Sequence, residues 1–145
     1  MPDTPQNYQN HVRNHPPFHY VLTPLALINL IWSIVNLVRF PEASTIQGLL
    51  IAFLLVMIGV LARTNALKAQ DRVIRLEEQL RYQRVLSPAL AQRAASLTTG
   101  QVIALRFASD DELERLLQQT LDNKFANTKE IKQAIQSWRG DYLRV

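Results

Sequence analysis

Hydrophobic positions in this chain concentrate in two uninterrupted runs, Val21–Val38 and Ile46–Ala62, and become periodic only afterwards. Each run is about as long as a helix needs to cross bilayer hydrocarbon, and neither carries a formal charge. The segment Arg39–Thr45 between them is seven residues long, room for a turn and nothing more. The pattern predicts an all-α integral membrane protein built on a helical hairpin. Its transmembrane helices fall over residues 20–38 and 46–62, joined by a short external loop over 39–45. A cleaved signal peptide fits the first run poorly, because the arm before it lacks a basic cluster and contains Pro16-Pro17.

Both runs carry a stripe. Ala26, Asn29, Ser33 and Asn36 recur at spacings of three and four, as do Gly48 and Ala52, and Gly59 and Ala62. Small residues let helix backbones approach, and amides or hydroxyls in hydrocarbon seek partners across an interface. The stripes are expected to face each other or a second copy. The competing reading is a polar path for an ion or solute; three neutral side chains without Asp, Glu, Lys or Arg favour packing. Phe18 and Tyr20 suit an interfacial aromatic belt, Pro24 the first turn of the span, and Trp32, deep in the run, suits packing.

Beyond Ala62 the period changes. Residues 63–86 contain no Gly or Pro and are rich in helix formers, which predicts a stalk helix continuing the second span. Ala62, Ala66, Ala69, Val73, Leu76 and Leu80 alternate four- and three-residue steps, a heptad seam. Two readings stay open: a parallel coiled coil with a second copy, or docking of this stripe on the C-terminal module or on headgroups.

Residues 87–145 read as a small module of short helices. Ser87-Pro88 opens a helix through Ala95, and Thr98-Thr-Gly-Gln101 is a capping box before Val102–Phe107. Ser109-Asp-Asp-Glu112 is a second box, starting a helix over Asp110–Asn123. A last helix starts at Thr128, with Ile131, Ile135 and Trp138 on one face to meet Leu113, Leu116, Leu117 and Leu121. The arm 1–19, with Pro2, Pro5, Pro16 and Pro17, is expected to be irregular and to lie at the membrane surface.

Charge sets the orientation. Residues 63–93 hold seven basic and three acidic side chains, whereas residues 94–145 balance at seven of each, so the net +4 lies just after the second span. The positive-inside tendency then places both termini in the cytoplasm, with Arg13 in agreement. Arg63, Lys68, Arg72 and Arg75 are positioned to meet anionic headgroups. Nucleic acid is not an expected partner, since the distal module is neutral and has no stacking platform.

Little in the sequence carries chemistry. The chain has no cysteine, which excludes disulfides, thiolate catalysis and Cys-based metal sites. His11, His15 and His19 have a spacing that converges on a metal only in a helix, and Pro16-Pro17 interrupts it; interfacial hydrogen bonding is the better account. The cluster Asp110, Asp111, Glu112 and Glu114 reads as helix-start electrostatics. Arg139-Gly140-Asp141 spells an adhesion tripeptide by coincidence, and the tail Tyr142–Val145 is expected to pack on the module. No catalytic, cofactor-binding or metal residue is expected, and no enzyme activity.

The strings QNYQNHVRNHPPFHY (6–20), LTTGQVIALRFASDDEL (97–113) and IKQAIQSWRGDYLRV (131–145) resemble, in the same order, a family of uncharacterised bacterial two-span membrane proteins. That family is a domain of unknown function sometimes labelled permease-like. The resemblance implies a bacterial inner-membrane location and a two-span architecture, and no site residues. The expected function is a non-enzymatic membrane scaffold or adaptor presenting the module to a protein partner, possible homo-oligomerisation included. The alternative is an accessory subunit of a transporter or channel using the Asn29, Ser33 and Asn36 stripe.

Overall fold

In a computed structural model, which describes residues 5–12 and 14–142, the chain is all-helical. A wide π-helical turn, Pro17–Leu22, leads into α1 (Thr23–Arg39). After Phe40–Glu42 comes α2 (Ala43–Val85), followed by α3 (Pro88–Ala94), α4 (Thr99–Leu105), α5 (Asp110–Leu121) and α6 (Thr128–Gln133). Two helical stretches, Pro17–Arg39 and Ala43–Val85, are long and apolar enough to cross a membrane. The described residues divide into two compact units: residues 14–68, and a second formed by residues 5–12 with 69–142.

In the first unit the wide turn has a local cause. Pro24 has no N–H and its ring crowds the carbonyl four residues back, which opens the preceding turn. Thr23 N–H reaches the Phe18 carbonyl, as does Thr23 Oγ1 at 2.8 Å. The loop is shorter than the sequence pattern predicts, because Ala43–Thr45 join the helix. Thr45 Oγ1 donates to Phe40 O and Glu42 O, and accepts from Glu42 N, which closes the turn.

The hairpin buries Ala52 fully and Ser33 largely, and Gly59 lies against Leu22, where an added Cβ would sit 3.7 Å from its Cδ2. Of the second stripe Ala52 and Gly59 are packed in this way, whereas Gly48 faces open space and Ala62 is exposed. The expected interhelical hydrogen bond at Ser33 is not made: its hydroxyl donates to Asn29 O one turn back, at 2.8 Å. Asn29 and Trp32 are exposed, which corrects their placement in the helix interface. Only 6% of the most apolar stretch of each long helix is covered by protein.

The second unit has the core. Leu105, Phe107, Leu113, Leu116, Leu117 and Ile131 are fully buried and are joined by Leu90, Leu97, Val102 and Ile135. Ser87 caps α3 through Leu90 N, and Thr98 with Gln101 forms the reciprocal box of α4. Gly100 lets the start of α4 approach α6, since a Cβ there would lie 3.2 Å from Thr128 Cγ2. α5 stops at Leu121, short of the expected Asn123, in a Schellman motif: Asn123 takes φ 55°, with Lys124 N on Gln119 O and Asn123 N on Thr120 O. α6 is capped by Asn127 and ends at Gln133, so Trp138 lies beyond it and not on its face.

Trp138 instead pairs with Ala108 in an isolated antiparallel bridge, flanked by Arg139 N to Phe107 O and Ser109 N to Ser137 O. The N-terminal arm is corrected as well. Residues 5–12 belong to this unit, and Gln6 and Asp141 exchange two hydrogen bonds, at 2.9 and 3.0 Å. His11 is buried with its ring 5.6 Å from both Phe107 and Trp138. Its aromatic surface does more for the fold in a core than at a headgroup.

Candidate functional site: a charged cleft and an uncovered helix face

The distal part of α2 is held by one face. Ile74, Glu78, Arg81, Tyr82 and Leu86 are buried under the module. Arg81 spends its guanidinium on three partners: Glu78 Oε2 at 3.1 Å, Ala108 O at 2.7 Å, and Asp110 Oδ1, reached by Nε at 2.7 Å and Nη2 at 2.6 Å. Glu78 Oε1 also accepts from Arg139, at 2.9 Å. This buried knot ties the helix to the α4–α5 turn and to the Arg139 segment together. A planar fork of donors suits such a three-way junction better than an ammonium would.

The knot floors an open cleft of about 650 Å³, rimmed by Glu77, Arg84, Arg106, Gly140, Asp141 and Tyr142. Its arginines are largely engaged with acids of the chain, Arg106 lying 3.0 Å from Asp141 and Arg139 on Glu78. The adhesion tripeptide is therefore part of the module's own ion network. Two hydroxyls near the knot make no hydrogen bond among the described residues, Tyr82 Oη and Ser109 Oγ. Burial, then the neighbouring Glu78 carboxylate, raises the Tyr82 phenol well above its ordinary range, with Arg81 pulling the other way.

The acidic cluster at the start of α5 divides by role. Ser109 stands at the N-cap but makes no side-chain cap, and the second capping box is not formed. Glu112 instead turns across to accept from Gln136 N and Ser137 N, at 3.2 and 3.0 Å, and closes the segment after α6. Asp110 serves Arg81. Only their proximity was visible in the sequence; Glu112 satisfies backbone donors about 25 residues on, and Asp110 a guanidinium 29 residues back.

The three histidines do not converge. His11 Nδ1 donates to Tyr8 O at 2.7 Å, which leaves Nε2 to accept from Lys132 at 3.2 Å. His19 Nδ1 lies 3.1 Å from His15 N and 2.9 Å from His15 O, accepting from the first or donating to the second according to its tautomer, and the His15 ring takes no part. Among the described residues no three of His, Asp and Glu are grouped to hold a metal. Of the four basic residues beyond the second run, Arg63 lies 5.8 Å over the Phe18 ring, and Lys68 and Arg72 are exposed. Arg13 and Leu143–Val145, including most of the C-terminal tail, lie outside the described residues.

The seam of Ala62, Ala66, Ala69, Val73, Leu76 and Leu80 is exposed along its whole length. Docking of this stripe on the C-terminal module is thus overturned: the module takes a different face of α2, the one bearing Glu78 and Arg81. Heptad spacing identified the seam, but nothing local marks a Glu–Arg pair three residues apart as the buried side.

The whole chain, residues 1–145, matches a family of unknown function, DUF6526. The chain belongs to this family. Membership agrees with the likeness carried by the three strings quoted above, and it assigns no activity. No curated protein and no solved structure matches the chain.

Proposed function

We propose that this chain is a non-enzymatic membrane mount: a hairpin in the bacterial inner membrane that presents a small helical module to a protein partner in the cytoplasm. The observation that carries the reading is α2 itself. One uninterrupted helix of 43 residues, roughly 65 Å at 1.5 Å per residue, bears an apolar half left bare by the protein and a polar half clamped by the Glu78–Arg81–Asp110 knot. Exposed apolar surface on that scale is stable in hydrocarbon and not in water. Arg63 stacked over Phe18 gives the hairpin a basic–aromatic boundary of the kind found at headgroups, and Lys68, Arg72 and Arg75 extend it toward anionic lipid.

The module's open, ion-lined cleft is the surface proposed to receive the partner. Polar rims of this kind suit reversible protein contacts more than enclosed chemistry. Cross-linking of the full chain in native membranes, followed by mass spectrometry, tests the reading. The expected result is a reproducible neighbour whose cross-links map to the cleft and are lost in Tyr142→Glu, a rim position away from the α2 seam. Cross-links that scatter over the module without preference, or that persist unchanged in the variant, count against it.

A further inference from the structure

The exposed seam on distal α2 asks for a partner that the chain does not supply. Val73 is 53%, Leu76 62% and Leu80 69% exposed, although each stands beside a well-packed module. At about 100° per residue, the centre of this stripe lies roughly 165° around the helix from the module-bearing face. A partner on the seam therefore lies opposite Ile74, Tyr82 and Leu86, and only its edge, at Leu80, Glu77 and Arg84, borders the cleft beside the Arg81 knot.

The step pattern fixes the heptad phase. Three-residue steps run from Ala66 to Ala69 and from Val73 to Leu76, so Ala66, Val73 and Leu80 take a positions and Ala69 and Leu76 take d. The flanks then follow: Arg72 and Gln79 at g, Glu77 and Arg84 at e. In a parallel pair each g residue meets the e residue five places further along the other strand. That rule brings Arg72 to Glu77 and Gln79 to Arg84, with no like charges opposed. Arg72 and Glu77 make no ion pair with the described residues of their own chain.

We propose that a second copy of this chain covers the seam as a parallel, in-register two-stranded coiled coil over residues 66–80, pairing Arg72 of each copy with Glu77 of the other. The proposal rests on the membrane-mount reading in one respect. Two copies inserted in the same sense can bring their stalks together only in parallel. Val at a beside Leu at d is the two-stranded choice, and the alanines nearer Ala62 let the backbones close as they leave the bilayer. A seam this short is marginal for a free peptide. Here the helix is already held by the module, and confinement to one membrane raises the effective concentration of the second strand.

The chain's lack of cysteine makes the test clean. Val73→Cys, Leu76→Cys, Lys68→Cys and Arg75→Cys are each introduced into the full chain and oxidised in native membranes. The seam variants are expected to give a dimer on the order of tenfold above the other two, as core positions of a parallel pair approach while outer ones do not. Arg72→Glu and Glu77→Arg, each added to Leu76→Cys, should lower that yield severalfold. Co-expressed, the two should restore it, because each then meets its opposite charge. Equal cross-linking on every face, an adduct whose mass is not two chains, or yields indifferent to the charge changes would overturn the proposal. Labelling of Ser44→Cys from outside in the same membranes separates the two ideas: retained labelling without seam dimers removes the coil and leaves the mount standing.

Discussion

At the scale of single residues, stability of the second unit turns on Arg81 and Glu78, both nearly inaccessible. Removing one partner strands the other in a dry site, at a cost of about 3–5 kcal/mol, whereas replacing both with apolar groups is often near neutral. Arg81→Leu is therefore expected to release the α4–α5 turn, read as lost hydrogen-exchange protection at residues 107–110 in the full chain in detergent. Glu78→Leu combined with Arg81→Leu should regain most of that protection; no recovery would mean the Asp110 and Ala108 contacts dominate. Tyr82 makes a separate case. Its buried hydroxyl finds no partner among the described residues, so Tyr82→Phe should stabilise by about 1 kcal/mol near neutral pH. Because burial raises the folded-state phenol above its ordinary value near 10, the folded chain keeps a proton that the unfolded chain releases. The native stabilisation is then complete below about pH 10 and falls as pH rises past it. Thermal melts should show the native chain losing stability more steeply than Tyr82→Phe above that pH, and parallel curves would contradict the assignment.

Among the elements, α2 decides how the chain is put together. Its continuity through Ala62, where apolar gives way to charged, follows from the absence of Gly and Pro over residues 60–86. Ala66→Pro should break it at a cost of about 3 kcal/mol. Exchange at residues 62–70 is expected to quicken while α4 and α5 stay protected, and a global loss of protection would show that the module depends on an intact stalk. Short-range signals in the sequence made the caps of α3 and α4 and the apolar face of α5 readable, because each is settled within one turn. Glu112, His11 and Trp138 were not readable in that way. Their partners are a chain segment about 25 residues on for Glu112, and the distant rings of Phe107 and Trp138 for His11. The orientation of distal α2 was hidden for a related reason: its seam is the more apolar stripe, yet the module binds through a charged one whose pairing only the tertiary fold completes.

On the scale of the whole molecule, α2 runs from an apolar hairpin into a module that closes on its own N-terminal arm through Gln6 and His11. The proposed arrangement has the hairpin crossing a membrane and the module on the cytoplasmic side. Single cysteines at Ser44 and Ser96, both exposed, report on opposite ends of that arrangement in a chain that has no other thiol. With a membrane-impermeant maleimide applied to right-side-out spheroplasts, Ser44→Cys should label directly and Ser96→Cys only after permeabilisation. Direct labelling of Ser96→Cys, or protection of Ser44→Cys until permeabilisation, would contradict this topology.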